Sequence, residues 1–369
     1  MSAHWFRPIR PTSNELLHID VLRVVAALGV VFIHSKEYLV APAQRLDVTT
    51  QAAGLNLFVD LFFLISGYVI AFVYADRINA PGQFARFLQR RVGRLVPLHW
   101  LTLALSIGVW AVLLRLGGHS THVPSFRPEC IALTAALLHA GFPCGGEAFN
   151  APSWSISAEM AMYVVFPAIA LLGALRRPLP LSLGITLAAG LLVFLGVRQG
   201  LSADDWISLH AYVRAAPSFL IGVGLWYERR WLYRVPWPQP ILAAALVALV
   251  WSMMTAASCV TVLALIALCV VSAVAADLQG RTGWLVARLA PFGQLTYSIY
   301  MWHRLFILVF ISALGDKFLH LGTPSMIALV ALTYGAILVW AYLSYLYLET
   351  PARRWVDALP LSRRRSEPA

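Results

Sequence analysis

The stretch LLHIDVLRVVAALGVVFIHS, residues 16–35, decides the fold class. It is apolar enough, and at about 20 residues long enough, for a helix to cross the hydrocarbon of a bilayer. It is not the core of a secretory signal peptide, because Asp20 and Arg23 do not belong in such a segment. Similar runs recur along most of the 369 residues, of which 60% are hydrophobic and only 12% charged. A soluble domain carries about twice that charge. The short alternating segments of a membrane β-barrel are missing. Only internally hydrogen-bonded helices fit what remains, so the expected fold is all-α, a polytopic transmembrane helical bundle.

Working outward, we read about ten spans, near residues 16–39, 54–75, 96–116, 155–174, 179–198, 209–227, 239–256, 257–276, 291–314 and 324–348. The apolar stretch 131–142 is too short to cross and is read as re-entrant or interfacial. With both termini cytoplasmic, nineteen of the 28 Lys and Arg residues fall in inner segments and seven in outer segments or helix ends. Arg23 and Arg304 lie within spans. That asymmetry is the positive-inside bias. It also explains the net charge of +11 without nucleic acid as a partner. Residues 1–355 read as one membrane domain and 356–369 as a short basic cytoplasmic tail. The four cysteines have no metal-ligand spacing, and no metal is expected. Cys130 and Cys144 fall on the outer side, where a disulfide can persist.

Ionisable groups inside spans are costly and mark functional or paired positions. Arg23 and His34 are eleven residues apart, which puts them on one helix face about 16 Å apart. Asp20 lies three residues before Arg23 and can pair with it. The pattern reads either as a buried ion pair with an interfacial histidine or as a polar stripe along a cavity. The second span, NLFVDLFFLISGYVI, carries Asp60, then Ser66 and Gly67, the glycine permitting close helix approach. In FARFLQRRVGRLVP, Arg86, Arg90 and Arg94 repeat every four residues with Arg91 beside them, as on a cytoplasmic surface helix. Such a face anchors anionic lipid or grips phosphate through the planar guanidinium. APSWSISAEMAMYVVFP places Trp154, Ser155 as an N-cap and Glu159 one turn deeper. PFGQLTYSIYMWHRLF carries Tyr297, Tyr300 and His303, and YLETPARRW ends the last span on Glu349. A histidine among aromatics, such as His303, is more often structural than catalytic.

In this order the motifs resemble those of the acyltransferase-3 family of bacterial membrane acyltransferases. They are D-x-L-R with a histidine eleven after the arginine (Asp20, Leu22, Arg23, His34), V-D-L-F-F-x-x-S-G (Val59 to Gly67) and R-R-x-x-R-x-x-P (Arg90 to Pro97). Then follow S-W-S-x-S-x-E with Tyr163 and Pro167, T-Y-S-x-Y-x-x-H (Thr296 to His303) and E-x-P (Glu349, Pro351). Val21 and Val24 stand where glycines are frequent in the family. No fused hydrolase-like domain is visible. The resemblance implies acyl transfer, commonly from acetyl-CoA, to a hydroxyl of a surface polysaccharide, lipid-linked sugar or other glycoside, in the bacterial cytoplasmic membrane. It implies His34 as general base, with Arg23, Asp20 and Glu159 in the catalytic centre and Arg90, Arg91 and Arg94 on the CoA phosphates. Asp60, Ser66, Trp154, Ser155, Tyr297, Tyr300, His303 and Glu349 are further candidates. Partners are then acyl-CoA, the acceptor and membrane lipid, while oligomeric state is not legible. The rival class is a transporter or flippase for a lipid-linked glycan, which would use intramembrane charge for a substrate path.

Overall fold

In a computed structural model of the chain, residues 9, 16–78, 80–116, 123–142, 144, 148–171, 183–191, 194, 211–255 and 257–360 are described. Regular structure among them is entirely helical. The main helices are α1 (Leu17–Ile33), α2 (Phe58–Tyr74), α3 (Pro81–Arg115), α4 (Pro128–Ala135), α5 (Ser153–Leu171) and α6 (Ala211–Tyr227). They continue with α7 (Pro238–Met254), α8 (Cys259–Leu278), α9 (Thr296–Phe306), α10 (Thr323–Ser344) and α11 (Thr350–Ala358). α9 runs on into a π-helical segment, Ile307–Phe318, and a second one, Tyr345–Glu349, joins α10 to α11.

Among the described residues, five helical stretches are long and apolar enough to cross a membrane: Gly54–Tyr74, Gly82–Arg115, Cys259–Leu278, Trp284–Phe318 and Thr323–Ala358. The chain is therefore an integral membrane protein. Pro238–Met254 is equally apolar but shorter. α1 and α6 are likewise short, at 17 residues each, and carry Asp20, Arg23 and Arg214. Half of the expected span 179–198, and the tail from residue 361, lie outside the described residues; residues 183–191 are helical. The last helix continues to Ala358, past the expected tail boundary at residue 356.

α2 and α6 form the tightest crossing. A Cβ on Gly67 would lie 2.0 Å from the Phe219 carbonyl oxygen, and one on Gly222 would lie 2.0 Å from that of Leu64. The two backbones touch there, which small residues at membrane helix interfaces allow. Around this pair, α1 packs on α2, α8 and α9, while α7 and α8 form an antiparallel hairpin. The entry to α1 is fixed by Asp277 of α8. Its carboxylate accepts the backbone N–H groups of His18 and Ile19 at 2.9 and 3.3 Å and contacts His18 Nδ1 at 2.6 Å. These are orphan donors of a helix start, met by a carboxylate from a neighbouring helix.

α3 corrects one expectation. The arginine-rich stretch is not a separate surface helix, because it continues through Pro97 into the third span as one 35-residue helix. Proline removes one intrahelical hydrogen bond, and the surrounding packing tolerates that here. Gly93 in the preceding turn lies against Val356 of α11. α4 is an eight-residue helix, too short to cross. It docks on α3, with His99 Nε2 and Trp100 Nε1 bonded to the carbonyls of Thr134 and Ala135 at 2.8 and 2.9 Å. Cys130 and Cys144 are disulfide-bonded with Cα atoms 5.7 Å apart, which closes this segment.

Asp60 has a partner that no local pattern suggests. Arg214 of α6 donates to Asp60 Oδ2 through Nε at 3.0 Å and Nη2 at 2.7 Å, with both side chains 4% exposed. Breaking such a buried pair from one side leaves an uncompensated charge. Asp60→Ala is expected to destabilise the protein by about 3–5 kcal/mol, whereas Asp60→Leu combined with Arg214→Met recovers most of the loss. Thermal unfolding of the purified variants in detergent is the measurement.

Candidate active site

Five helix faces enclose a cavity of about 100 Å³. α1 contributes Arg23, α2 contributes Ser66, α3 contributes Arg91 and Arg94, and α5 contributes Ser155, Glu159 and Tyr163. α9 adds Thr296, Tyr297 and Tyr300. Arg23 is oriented by Asp20, at 3.2 Å on the preceding turn, as the i, i+3 spacing predicts. Arg91 is buried and donates to the Tyr74 hydroxyl at 3.0 Å. Its guanidinium also lies 5.7 Å from the ring centre of Tyr163, within cation–π range. Arg91 and Arg94 thus turn into the protein rather than onto a lipid surface. Arg90 is half-buried and does not line the cavity.

Among the described residues Glu159 is the one carboxylate in the cavity wall, which it shares with three guanidinium groups. One of its oxygens, Oε1, accepts from the Ser66 hydroxyl at 2.5 Å and from the Tyr163 hydroxyl at 2.6 Å. Tyr163 follows Glu159 by four residues, on the same helix face. It belonged to the sequence motif without being singled out, although that spacing was the available signal. The excess of positive charge in a shielded space favours an anionic ligand.

Ser155 is in the first turn of α5, not its N-cap, since the helix starts at Ser153. Its hydroxyl bonds to that of Tyr300 at 2.7 Å and donates to the Pro152 carbonyl at 3.0 Å. Tyr297 donates to the Leu95 carbonyl at 2.5 Å, tying α9 to α3 just above Arg94.

Other candidates lie outside the cavity wall. His34 terminates α1, half-buried, and its ring centre is 5.2 Å from that of His303. His303 Nδ1 bonds to the Tyr300 carbonyl at 2.7 Å. Tyr300 therefore stands between the two places, with its hydroxyl in the cavity and its carbonyl on the histidine pair. Trp154 packs edge-on against Phe63 and under the guanidinium of Arg214, 5.1 Å from its ring centre. Glu349 accepts from Ser298 at the base of α9. Asp60 belongs to the buried ion pair with Arg214. No group of three or more metal-ligating side chains exists among the described residues.

Against known families, residues 16–346 match the acyltransferase domain of the acyltransferase-3 family. The chain belongs to that family. It is similar to the acyltransferase MdmB of Streptomyces mycarofaciens, 28% identical over 327 residues that cover 80% of each chain. BcsY of Komagataeibacter xylinus, described as a membrane-bound transacylase, is 26% identical over 324 residues, covering 83% of this chain and 78% of its own. Protein 2 in the picA locus of Rhizobium radiobacter is 29% identical over 167 residues, 42% of this chain and 81% of that protein. No solved structure matches. The family makes the chain an acyltransferase, and an acyltransferase needs an acyl donor and an acceptor.

The Tyr163 hydroxyl is one of two donors that hold Glu159. Hydrogen bonds to charged groups are worth about 1.5–3 kcal/mol, so Tyr163→Phe is expected to slow acyl transfer roughly tenfold to a hundredfold. The unfolding temperature in detergent should move little, because the ring keeps its packing against Phe87.

Proposed function

We propose that the chain is a membrane O-acyltransferase that takes an acyl group, most readily acetyl, from cytoplasmic acyl-CoA. The acceptor is a hydroxyl of a surface polysaccharide, lipid-linked sugar or other glycoside. The reading includes ten spans in the bacterial cytoplasmic membrane with both termini inside, and a single acyltransferase domain followed by a basic tail. The observation that carries it is the cavity in which Arg23, Arg91 and Arg94 converge with Glu159, Ser66 and Tyr163 beneath the His34–His303 pair.

Each residue has a role in this reaction. Arg91 and Arg94 bind the anionic donor through charge-assisted hydrogen bonds, with Arg90 at the approach to the cavity. Arg23, held by Asp20, adds a third fixed positive charge for the anionic donor in the low-dielectric cavity, about three helical turns from His34. His34 removes the proton of the acceptor hydroxyl, a task suited to neutral imidazole near pH 7. Glu159, fixed through one oxygen by Ser66 and Tyr163, has its second oxygen for orienting the acceptor. Resemblance to an acyltransferase and a transacylase supports acyl transfer over the transport of a lipid-linked glycan.

Purified protein with acetyl-CoA and a glycoside acceptor is expected to release free CoA thiol and form the acetyl ester. Stable acetyl-CoA beside movement of a lipid-linked glycan would mean a transporter. His34→Ala should lower transfer by about two to four orders of magnitude with acetyl-CoA affinity kept. A separate comparison concerns the donor: Arg91→Ala and Arg94→Ala should weaken binding of CoA more than that of a bare pantetheine thioester. Equal weakening of both would assign these arginines to the fold.

A further inference from the structure

His303 is fully buried, and the bonding of its ring identifies its tautomer. Nδ1 lies 2.7 Å from the Tyr300 carbonyl oxygen. A carbonyl only accepts, so Nδ1 carries the hydrogen and Nε2 of the neutral ring is a bare lone pair. That Nε2 is buried without a hydrogen-bond partner. An unmet buried acceptor costs about 1–3 kcal/mol, a cost that persists where function uses the group. The imidazole of His34 is beside it, ring centres 5.2 Å apart and planes inclined by 33°. His34 is only half-buried, so one ring of the pair is reachable and the other is enclosed.

We propose that His303 is the positioning residue of His34: its bare Nε2, unpartnered in this structure, takes one N–H of His34 when the acceptor is bound, while the other ring nitrogen of His34 faces the acceptor hydroxyl. This rests on the acyl-transfer reading above. A histidine base needs its second nitrogen held, because that hydrogen bond decides which nitrogen carries the lone pair. A carboxylate commonly fills this place. Here a neutral imidazole does so, itself fixed by the backbone of its own helix.

In the step, the acceptor O–H bond breaks and its proton passes to His34, which becomes imidazolium with its other N–H on His303. The alkoxide oxygen forms a bond to the thioester carbonyl carbon and the C–S bond breaks. The departing CoA thiolate takes the proton from His34, leaving the pair as it began. His303 keeps its own Nδ1–H on Tyr300 throughout and never touches substrate.

Two substitutions separate this role from packing. In His303→Gln the amide oxygen comes close to the place of Nε2 and can accept from His34. His303→Asn can still donate to the Tyr300 carbonyl but puts nothing at the Nε2 position. The expected result is a kcat for Gln within about tenfold of wild type and for Asn at least about a hundredfold lower, on the scale of acid–base catalysis, with acetyl-CoA affinity unchanged in both. Asn equal to or better than Gln, or equal loss in both, would overturn the proposal, since the bond to Tyr300 or the ring packing would then be what matters. Nitrogen-15 histidine NMR of the wild-type protein reads the pair without any variant. It should find His303 protonated on Nδ1 with an unprotonated Nε2, and a coupling across a hydrogen bond from His34 to that Nε2 once the acceptor is bound. A His303 ring protonated on Nε2 instead overturns it. If wild-type protein consumes no acyl thioester, the functional reading fails by itself, and the NMR result still decides whether the two histidines are paired.

Discussion

The contact of two helix backbones at Gly67 and Gly222 is the constraint on which the rest of the bundle depends. Any side chain at either position would collide with a carbonyl oxygen of the other helix. In lipid there is little hydrophobic drive between helices, so close fit has to supply the attraction. The crossing brings Asp60 within reach of Arg214 and fixes the face of α2 that presents Ser66 to Glu159. A crossing opened by one methyl group would separate these charged and polar partners together.

The distribution of charge follows the same economy of space. Asp60 and Arg214 neutralise one another away from the cavity, Asp277 is spent on the start of α1, and Asp20 holds Arg23. Most acidic groups of the bundle interior are thereby committed to structure. Glu159 is left as the carboxylate in a wall with three arginines. The cavity stays positive because Asp20 and Glu159 together do not balance Arg23, Arg91 and Arg94. That suits a ligand which brings its own negative charge and leaves with it.

Much of this was legible in sequence, and the misses have physical reasons. The helical fold and membrane character followed from apolar run length. The Asp20–Arg23 pair and the close approach at Gly67 followed from helical spacing and residue size. The joining of the arginine stretch to the third span did not follow. Pro97 and four arginines read as a boundary, whereas the helix passes through it and aims Arg91 and Arg94 inward. The partnership of Asp60 with Arg214 spans 154 residues and leaves no periodic signal. His303 is surrounded by aromatics and reads as structural, since its nearness to His34 depends on how α1 and α9 pack. The ten-span count rested on apolar runs and the Lys/Arg asymmetry, and among the described residues five helical stretches are long and apolar enough to cross by themselves.

α3 has a mechanical consequence. A helix of 35 residues is a rod about 52 Å long. Arg91 and Arg94 lie in its first half, and His99, Trp100 and Trp110 grip the disulfide-closed segment and the Phe149 carbonyl farther along. A rod transmits tilt with little loss, and Pro97 lies between the two sets of contacts without ending it. A tilt imposed where the cystine-closed segment holds α3 is therefore felt by the arginines, because both ride on one continuous helix.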